Sequence, residues 1–357
     1  MILCIRFLFN LLVISCMFFG VLSNTDSLFG NQSIKNITLS MTPSLFQGSS
    51  LYKIGGKVSQ TLYGGSGLSE YYSHFPLSTL DFDVNTMVMS YQLNFDLMFP
   101  FQKYINPDSK VNMFFAHSIT NKVNGKLRDY DWGLEYDRDI QLYGFSDKLD
   151  SSLDIYSETD LYLTYYQFGM EFLTPVFYFK NVGYLFAGVG GRFLDLSYVG
   201  NGMVQWAYSD YGKQIMGQDR LEINKNVIFY DITYYIPYIS CMYMANSLGL
   251  NVELKLNFSP YVLIVDADDH ILRNKYSKGR VIGNLFEYNV SLTYPVMGGI
   301  KLFFYFDNRL VWGYGKQTQT QYLSSSYVLS NQLYSTEIDH KIQYNTNTIS
   351  LGLIYQF

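Results

Sequence analysis

The sequence is poor in charged residues, in long apolar runs and in cysteine. Charged residues make up 15% of the 357-residue chain, against about 25% in a typical soluble domain, so the surface requires an apolar or interfacial surrounding. Beyond residue 22, no apolar run approaches the ~20 residues that a membrane helix needs. The formal net charge of −5 is mild and argues against nucleic acid as a partner.

The N-terminus has the pattern of a secretory signal. Arg6 precedes an apolar run over 7–22, and small residues follow near Ser23, which predicts a signal peptide over 1–23 and a single mature domain over 24–357. Residues 13–16 also resemble a lipoprotein processing site, but the apolar run continues past Cys16 and favours an ordinary signal. Cleavage leaves Cys241 as the one cysteine, which excludes an intramolecular disulfide and a cysteine metal site.

Aromatic residues are frequent, with 34 Tyr and 27 Phe, and the hydrophobic period is two. Over 248–258 every even position is apolar and every odd one is Gly, Asn, Glu or Lys, and 87–99, 286–294 and 349–357 alternate in the same way. A β-sandwich would also alternate. Strands of ten or more residues, aromatic strand ends and a terminal Phe357 instead favour an all-β, ten-stranded antiparallel transmembrane β-barrel of the bacterial outer membrane.

Ten strands are predicted, with short and long connections in alternation. They lie at about 34–50, 79–98, 109–121, 153–172, 177–199, 225–241, 246–265, 280–295, 298–315 and 345–357, and the long loops at 51–78, 122–152, 200–224, 266–279 and 316–344. Such barrels keep short turns in the periplasm and long loops outside. Polar residues of the inward faces, including Glu253 and Lys255, are predicted to fill the lumen.

Two acidic motifs fall in these predicted extracellular loops. In Asp129-Tyr130-Asp131-Trp132, two carboxylates on one face of an extended backbone are expected to share a proton or bind a water or cation, with Trp132 desolvating Asp131. Calcium would require more oxygen ligands than two aspartates, so no metal site is expected.

The second motif contains a histidine. Asp266 and Asp268 precede His270 at spacings of two, so Asp268 can orient the ring, and the carboxylates are expected to raise its pKa. His270 is therefore a candidate general base for water. His74, His117 and His340 have no carboxylate two positions before them.

These two motifs resemble those of the omptins, a family of outer-membrane aspartyl endopeptidases with a ten-stranded barrel. Omptins carry Asp-x-Asp-Trp in the second outer loop and Asp-x-Asp-x-His in the fourth, and residues 80–82, 93–98 and 350–357 are similar to further omptin segments.

The resemblance implies roles for individual residues. Asp268 and His270 would form the catalytic dyad, and Asp129 and Asp131 would bind the attacking water, without an acyl-enzyme. Asp266 would line the pocket for a basic side chain. Tyr52 or Lys53 stands where the family has a second acidic pocket residue, and Asp147 corresponds to an aspartate on the other side of the scissile bond.

The partners implied are polypeptides with basic residues and outer-membrane lipid, with a monomeric protein, no cofactor, and lipopolysaccharide as a candidate activator near Arg192. A different reading is a non-catalytic barrel that acts as an adhesin through aromatic loops such as 314–327. A pore is disfavoured because the lumen is predicted to be filled.

Overall fold

The computed structural model describes residues 33–62, 68–98, 109–132, 153–179, 182–323 and 332–356. The expected signal peptide over 1–23 and the candidate residue Asp147 lie outside these ranges.

The described residues form twelve strands, a short helix and a 3-10 turn. They are β1 (Ser33–Leu62), β2 (Leu68–Asp83), β3 (Thr86–Met98), β4 (Ser109–Ser118), β5 (Lys122–Trp132), β6 (Leu153–Phe179), β7 (Gly183–Ala207), α1 (Asp210–Met216), β8 (Arg220–Ser247), β9 (Leu250–His270), the 3-10 turn (Ile271–Arg273), β10 (Lys275–Met297), β11 (Ile300–Tyr322) and β12 (Gln332–Gln356).

The strands close into an antiparallel barrel in which β12 pairs with β1. Two barrel strands are each divided in the chain, since β2 and β3 are separated at 84–85, and β4 and β5 at 119–121. At one end the ring runs β1–β3–β4–β6, and at the other it runs β1–β2–β5–β6. Each level therefore contains ten strands, which confirms the predicted ten-stranded antiparallel barrel.

An apolar belt surrounds the half of the barrel next to the short turns. Exposed large apolar residues there include Met41, Leu45, Met170, Val189, Ile239, Leu254, Leu256, Phe258, Phe286, Leu351 and Leu353. A strand crosses the hydrocarbon core in about 9–11 residues, so β9, which begins at Leu250, leaves the belt near residue 260. Among the residues described, no helix is both long enough and apolar enough to cross a membrane.

Inside this belt the lumen holds paired charges. Lys255 Nζ lies 3.0 Å from Glu171 Oε2, and Arg309 Nε lies 3.2 Å from Glu287 Oε2. The predicted polar filling is confirmed. Arg192 also points inward and binds Glu287, with 5% of its side chain exposed. The expectation that Arg192 marks an outer lipopolysaccharide site is therefore wrong, because its side chain lies on the lumen face of β7.

Above the charged layer the interior is an apolar core. Its largest fully buried side chains are Tyr52, Tyr198, Tyr230, Tyr234, Tyr344, Phe46 and Phe82, which all belong to one hydrophobic cluster. This cluster forms an apolar floor beneath the mouth of the barrel, which is the end at the β9–β10 turn. Ionisable groups buried there lose hydration, and their pKa values shift.

The strands extend further toward the mouth than the sequence predicted. Asp129 and Asp131 lie on β5, and Asp266, Asp268 and His270 lie on β9, rather than in loops. The loop predicted at 266–279 is reduced to a tight hairpin, since His270 pairs with Lys275 across the 3-10 turn. The alternation that marks a strand is obscured here because, beyond the belt, the outward positions such as Ala267 and Asp269 are no longer large apolar residues.

Candidate active site

A β-bulge in β9 decides which way the histidine motif points. Leu256 and Phe258 are 51% and 44% exposed, whereas Asp266 and Asp268, also at even positions, are 2% and 0% exposed. The register explains the reversal. From Phe258 to Leu263, β9 takes five steps, while the partner β8 takes four, from Ile239 to Tyr235.

The other neighbour of β9 shows the same extra residue. Ser259 to Val262 is three steps on β9, and the partner residues Leu285 and Gly283 are two apart. One inserted residue near Pro260 moves every later side chain to the opposite face. Strict continuation of the alternation would have placed Asp268 and His270 on the outer surface.

The dyad forms at the end of β9. His270 Nε2 lies 3.2 Å from Asp268 Oδ1, and the His270 side chain is 14% exposed. Tyr52 donates to Asp268 Oδ2 at 3.1 Å, and Gln317 Nε2 donates to the same oxygen at 3.3 Å. Both donors bind Oδ2, whereas Oδ1 accepts no hydrogen bond from the described residues, so it is the oxygen left to accept one from the imidazole of His270.

The charges around His270 act differently from the expectation. Burial, then the cations Lys275 and Arg273, lower the pKa of His270 well below its usual value. The predicted rise of this pKa is wrong, because desolvation of the imidazolium and two neighbouring cations outweigh the buried carboxylate. Burial raises the pKa of Asp268. His270 is therefore neutral near pH 7, which is the state that can accept a proton.

The carboxylate pair lies on β5, and both side chains face inward. Ser78 donates to Asp129 Oδ1 at 3.3 Å, and Arg273 Nη2 lies 3.3 Å from Asp131 Oδ2. Burial, followed by the negative charge of Asp131, raises the pKa of Asp129 to about 7. Two carboxylates placed in this way retain one proton between them near neutral pH.

Trp132 does not cover Asp131 as expected. Its ring stacks on Tyr130 with centroids 5.4 Å apart and an interplanar angle of 7°. Neighbouring residues of a strand point to opposite faces, so Tyr130 and Trp132 share the face opposite to Asp131. Asp131 is nevertheless 6% exposed, because the interior of the mouth buries it.

The fold brings the two motifs together. Asp129 and His270 line the same cavity of about 380 Å³. Arg273, in the hairpin turn after β9, reaches Asp131 on β5, and Lys275 interacts electrostatically with Asp129, Asp131 and Asp268. In the part of the chain that the structure describes, no group of three or more His, Cys, Asp or Glu side chains is arranged to hold a metal ion.

Asp266 lies on the other side of the dyad, next to a second histidine. His340 Nδ1 is 3.6 Å from Asp266 Oδ1, and both side chains are fully buried. Burial lowers the pKa of His340 to about 3, and burial followed by the charge of Asp268 raises the pKa of Asp266 well above its usual value. Gly279 gives this pair its room, since a Cβ there would lie 2.1 Å from Asp266 Oδ1.

Tyr52 faces the interior beside this pair. Its ring lies 4.6 Å from that of His340, and its hydroxyl binds Asp268 as well as Gln317 Oε1, at 2.5 Å. The structure therefore puts Tyr52, not Lys53, at the inward position, and engages its hydroxyl with the dyad. The position of Asp147 falls outside the described residues, so its predicted role stays a prediction.

Sequence reasoning missed Gln317, His340, Arg273 and Lys275. Gln317 and His340 are brought to the site by the register of β11 and β12, and Arg273 and Lys275 by the tight hairpin that follows His270. His340 shares the inward parity of Ile338, Ile342 and Tyr344 on β12, and Lys275 faces His270 across the hairpin. The alternation of inward and outward side chains along β12 could have shown that His340 points inward. It could not have shown which residues His340 contacts.

Comparisons with known proteins agree with this architecture. A crystal structure of the outer-membrane protease OmpT from Escherichia coli matches with a TM-score of 0.67 and 16% identity, over 91% of this chain and 98% of that one. The translocator domain of the autotransporter NalP from Neisseria meningitidis matches over 96% of both chains, at 8% identity and a TM-score of only 0.30. No curated protein sequence gives a significant match.

The family model supplies the classification. The model of the omptin family matches residues 61–357. This range contains β2 to β12, the carboxylate pair on β5 and the dyad on β9. The chain belongs to the omptin family.

Proposed function

We propose that this protein is an outer-membrane endopeptidase in which His270, held by Asp268, activates a water molecule opposite the Asp129 and Asp131 pair. The observation that carries the proposal is the convergence at the mouth. His270 Nε2 lies 3.2 Å from Asp268 Oδ1, and His270 lines the same cavity as Asp129. Hydrolysis by an activated water requires a base, a carboxylate that orients it and acidic groups on the opposite side, and these groups converge here.

The proton transfers of the proposed reaction can be assigned to individual groups. With Nε2 directed at Asp268, the other ring nitrogen of His270 is the one that accepts a proton from water. The water oxygen bonds to the peptide carbonyl carbon, and the carbonyl oxygen gains negative charge. Asp268 stabilises the imidazolium formed. When the C–N bond breaks, His270 returns the proton to the leaving amine.

Asp129 and Asp131 act on the opposite side of the carbonyl. With one proton shared between them, the pair can both accept a hydrogen bond from the water and donate one to the developing oxyanion. The pKa of Asp129, raised to about 7, keeps this proton in place at neutral pH. Loss of it at higher pH would leave two anions facing an oxyanion, which is repulsive.

The specificity proposed is for a basic residue before the cleaved bond. Asp266 supplies a carboxylate beside the dyad. Its side chain is buried against His340, so binding would require a local movement that exposes it to a guanidinium or ammonium group. Tyr52 adds no second charge there. We therefore expect selectivity for Arg and Lys that is weaker than two carboxylates would give.

The proposal also covers the orientation of the protein in the membrane, its substrates and its need for other molecules. The short turns lie at the belt end of the barrel, and in outer-membrane barrels this end is periplasmic, which would put the mouth outside the cell. Its substrates would be exposed polypeptides. The chemistry uses no cofactor, while a lipopolysaccharide requirement and a monomeric state are further predictions.

The test is cleavage of a quenched fluorescent peptide containing Arg-Arg by the refolded barrel, with and without lipopolysaccharide. Asp268→Ala and His270→Ala should each abolish cleavage while migrating as folded barrels on unheated gels. Lys278→Ala, an exposed cation of the same hairpin, serves as the control that retains activity. A folded parent that leaves basic, acidic and apolar peptides intact would contradict the proposal and support the adhesin reading.

A further inference from the structure

The cavity that His270 and Asp129 line extends away from Asp266 toward an apolar wall. Its volume is about 380 Å³, and its lining includes Leu80, Leu127, Met203, Ile223, Val227 and Ile228. An apolar cavity of about 150 Å³ already holds a benzene molecule. The space beside the dyad is therefore large enough for an aromatic or long aliphatic side chain.

The wall of this cavity is preformed. Leu80, Leu127, Val227 and Ile228 are each at most 5% exposed and belong to the hydrophobic core. Met203 packs against the same core as a partly buried residue. Because these residues are fixed by packing, an apolar group entering the cavity meets a rigid surface and gives up little of its binding to reorganisation.

The polar groups in the wall are engaged with one another. Gln205 Nε2 donates to Ser157 Oγ at 3.0 Å, and both residues are buried. The charged groups, Asp129 and Arg273, adjoin the catalytic groups, and Arg273 is bound to Asp131. Apart from Asp129, His270 and Arg273, the described lining carries no ionisable side chain, so a lysine or aspartate side chain that reaches the apolar wall loses hydration without an opposite charge there, which costs binding energy.

The cavity and the buried carboxylate of Asp266 lie on opposite sides of the dyad. Asp266, Gln317, His340 and Tyr52 belong to β9, β11, β12 and β1, while the cavity wall comes from β2, β5, β6, β7 and β8. A peptide crossing the mouth between His270 and Asp129 would place the residues that flank the cleaved bond on these two sides.

We propose that the cavity is the subsite for a large apolar side chain, that of the residue across the cleaved bond from the one held at Asp266. This inference rests on the proposed endopeptidase function. It defines the preferred bond as one between a basic residue and a bulky apolar residue such as Phe or Leu. A carboxylate from Asp147 at this subsite would instead favour a second basic residue, and the experiment distinguishes the two.

The experiment uses matched quenched peptides that carry Arg on one side of the bond and Phe, Leu, Ala, Lys or Asp on the other. Mass spectrometry identifies the bond that is cut. We expect kcat/KM for Phe and Leu to exceed that for Ala, Lys and Asp by about tenfold or more, since apolar subsites discriminate by that order. Equal rates for Phe and Ala, or a preference for Lys, would overturn the subsite while leaving the protease in place.

Two variants test the cavity itself. Met203→Trp fills it and should abolish the preference for Phe over Ala. Ile223→Ala enlarges it and should move the preference from Leu toward Trp. Both residues are only partly buried, and folding is checked by migration on unheated gels. An unchanged Phe to Ala ratio in both folded variants would contradict the assignment.

A binding measurement separates the failure of the subsite from the failure of the protease. Fluorine NMR follows 4-fluorophenylalanine amide with the parent, Met203→Trp and Asp268→Ala. We expect binding to the parent and to Asp268→Ala, and none to Met203→Trp. If no peptide is cut but the probe binds in this pattern, the cavity is confirmed and the endopeptidase is wrong. If the probe does not bind the parent, the assignment of the cavity as an apolar subsite is wrong.

Discussion

Arg273 lies between the two halves of the proposed site, and replacing it with alanine tests the protonation state on which the mechanism depends. Its Nη2 is 3.3 Å from Asp131 Oδ2, and its charge lowers the pKa values of Asp129 and of His270. Loss of the cation should therefore raise both values. The active state has neutral His270 and one proton on the carboxylate pair, so activity falls below the pKa of the histidine and above that of the pair.

The size of the shift can be worked from the geometry. Two unit charges 3.3 Å apart interact by about 1.3 kcal/mol in water and about 5 kcal/mol at an effective dielectric constant of ~20. The Arg273 side chain is 45% exposed, so the value in water is the better guide. One pKa unit corresponds to about 1.4 kcal/mol. Asp129, whose pKa is the one raised to about 7, interacts less strongly with Arg273 than Asp131 does, so the alkaline limb should move up by no more than about one pH unit.

The acid limb should move in the same direction but less. Arg273 ranks behind burial and Lys275 among the causes that lower the pKa of His270, and removing it leaves those two in place. The whole bell-shaped profile of kcat/KM therefore shifts toward alkaline pH and widens. The shift should shrink at high salt, because an interaction with an exposed cation is screened.

The assay is the pH dependence of kcat/KM for the Arg-Arg peptide with the parent, Arg273→Ala and Arg273→Lys. The lysine variant keeps the charge and should keep most of the parent profile, and Lys278→Ala should leave the profile unchanged. An alkaline limb that stays in place or moves to lower pH in Arg273→Ala would refute the shared proton on Asp129 and Asp131.

Three further predictions concern the supports of the site. Tyr52→Phe removes a donor to Asp268 and should lower kcat by about tenfold, because a hydrogen bond to a charged group contributes about 1.5–3 kcal/mol; steady-state kinetics with little change in KM would show it. Glu287→Gln leaves two buried guanidinium groups without their carboxylate and should destabilise the barrel by about 3–5 kcal/mol. Unfolding in guanidinium chloride, followed in lipid vesicles, measures this loss, and the pH profile of kcat/KM should be unaltered. Deletion of Tyr261 removes the bulge and turns Asp268 and His270 outward, so the barrel should fold but be inactive. Insertion of one alanine after Leu263 in the deletion variant should restore activity. An active deletion variant would contradict the register argument.

The barrel could be predicted from the sequence because its outer face is constrained at every second position. Leu254, Leu256 and Phe258 are exposed apolar residues of the belt, and their period of two is visible without any knowledge of contacts. The number of barrel strands was correct for the same reason. The strand ends were not predicted correctly, because β5 and β9 continue beyond the belt, where the outer face is no longer required to be apolar.

The motifs of the candidate site could also be found from the sequence, but the pKa values of their residues and the direction in which they point could not. Asp268 and His270 are close in sequence, so their contact follows from local geometry. The pKa of His270 does not, since it is set by burial, Lys275 and Arg273. The direction in which the motif points depends on the bulge, for which Pro260 is the one local signal, because proline cannot donate a hydrogen bond to a sheet ladder. His340 and Gln317 come from distant strands and carry no such signal.

The packed core beneath the mouth limits where a cleaved chain can go. The buried ring of Tyr344 packs against that of Tyr234, with centroids 5.2 Å apart, and below this core Arg192 and Arg309 both bind Glu287. A polypeptide drawn down from the mouth would have to displace both layers. A substrate therefore rests across the top of the barrel, and both fragments are released on the side from which it arrived. If the proposed cleavage takes place at this site, its products do not pass through the barrel.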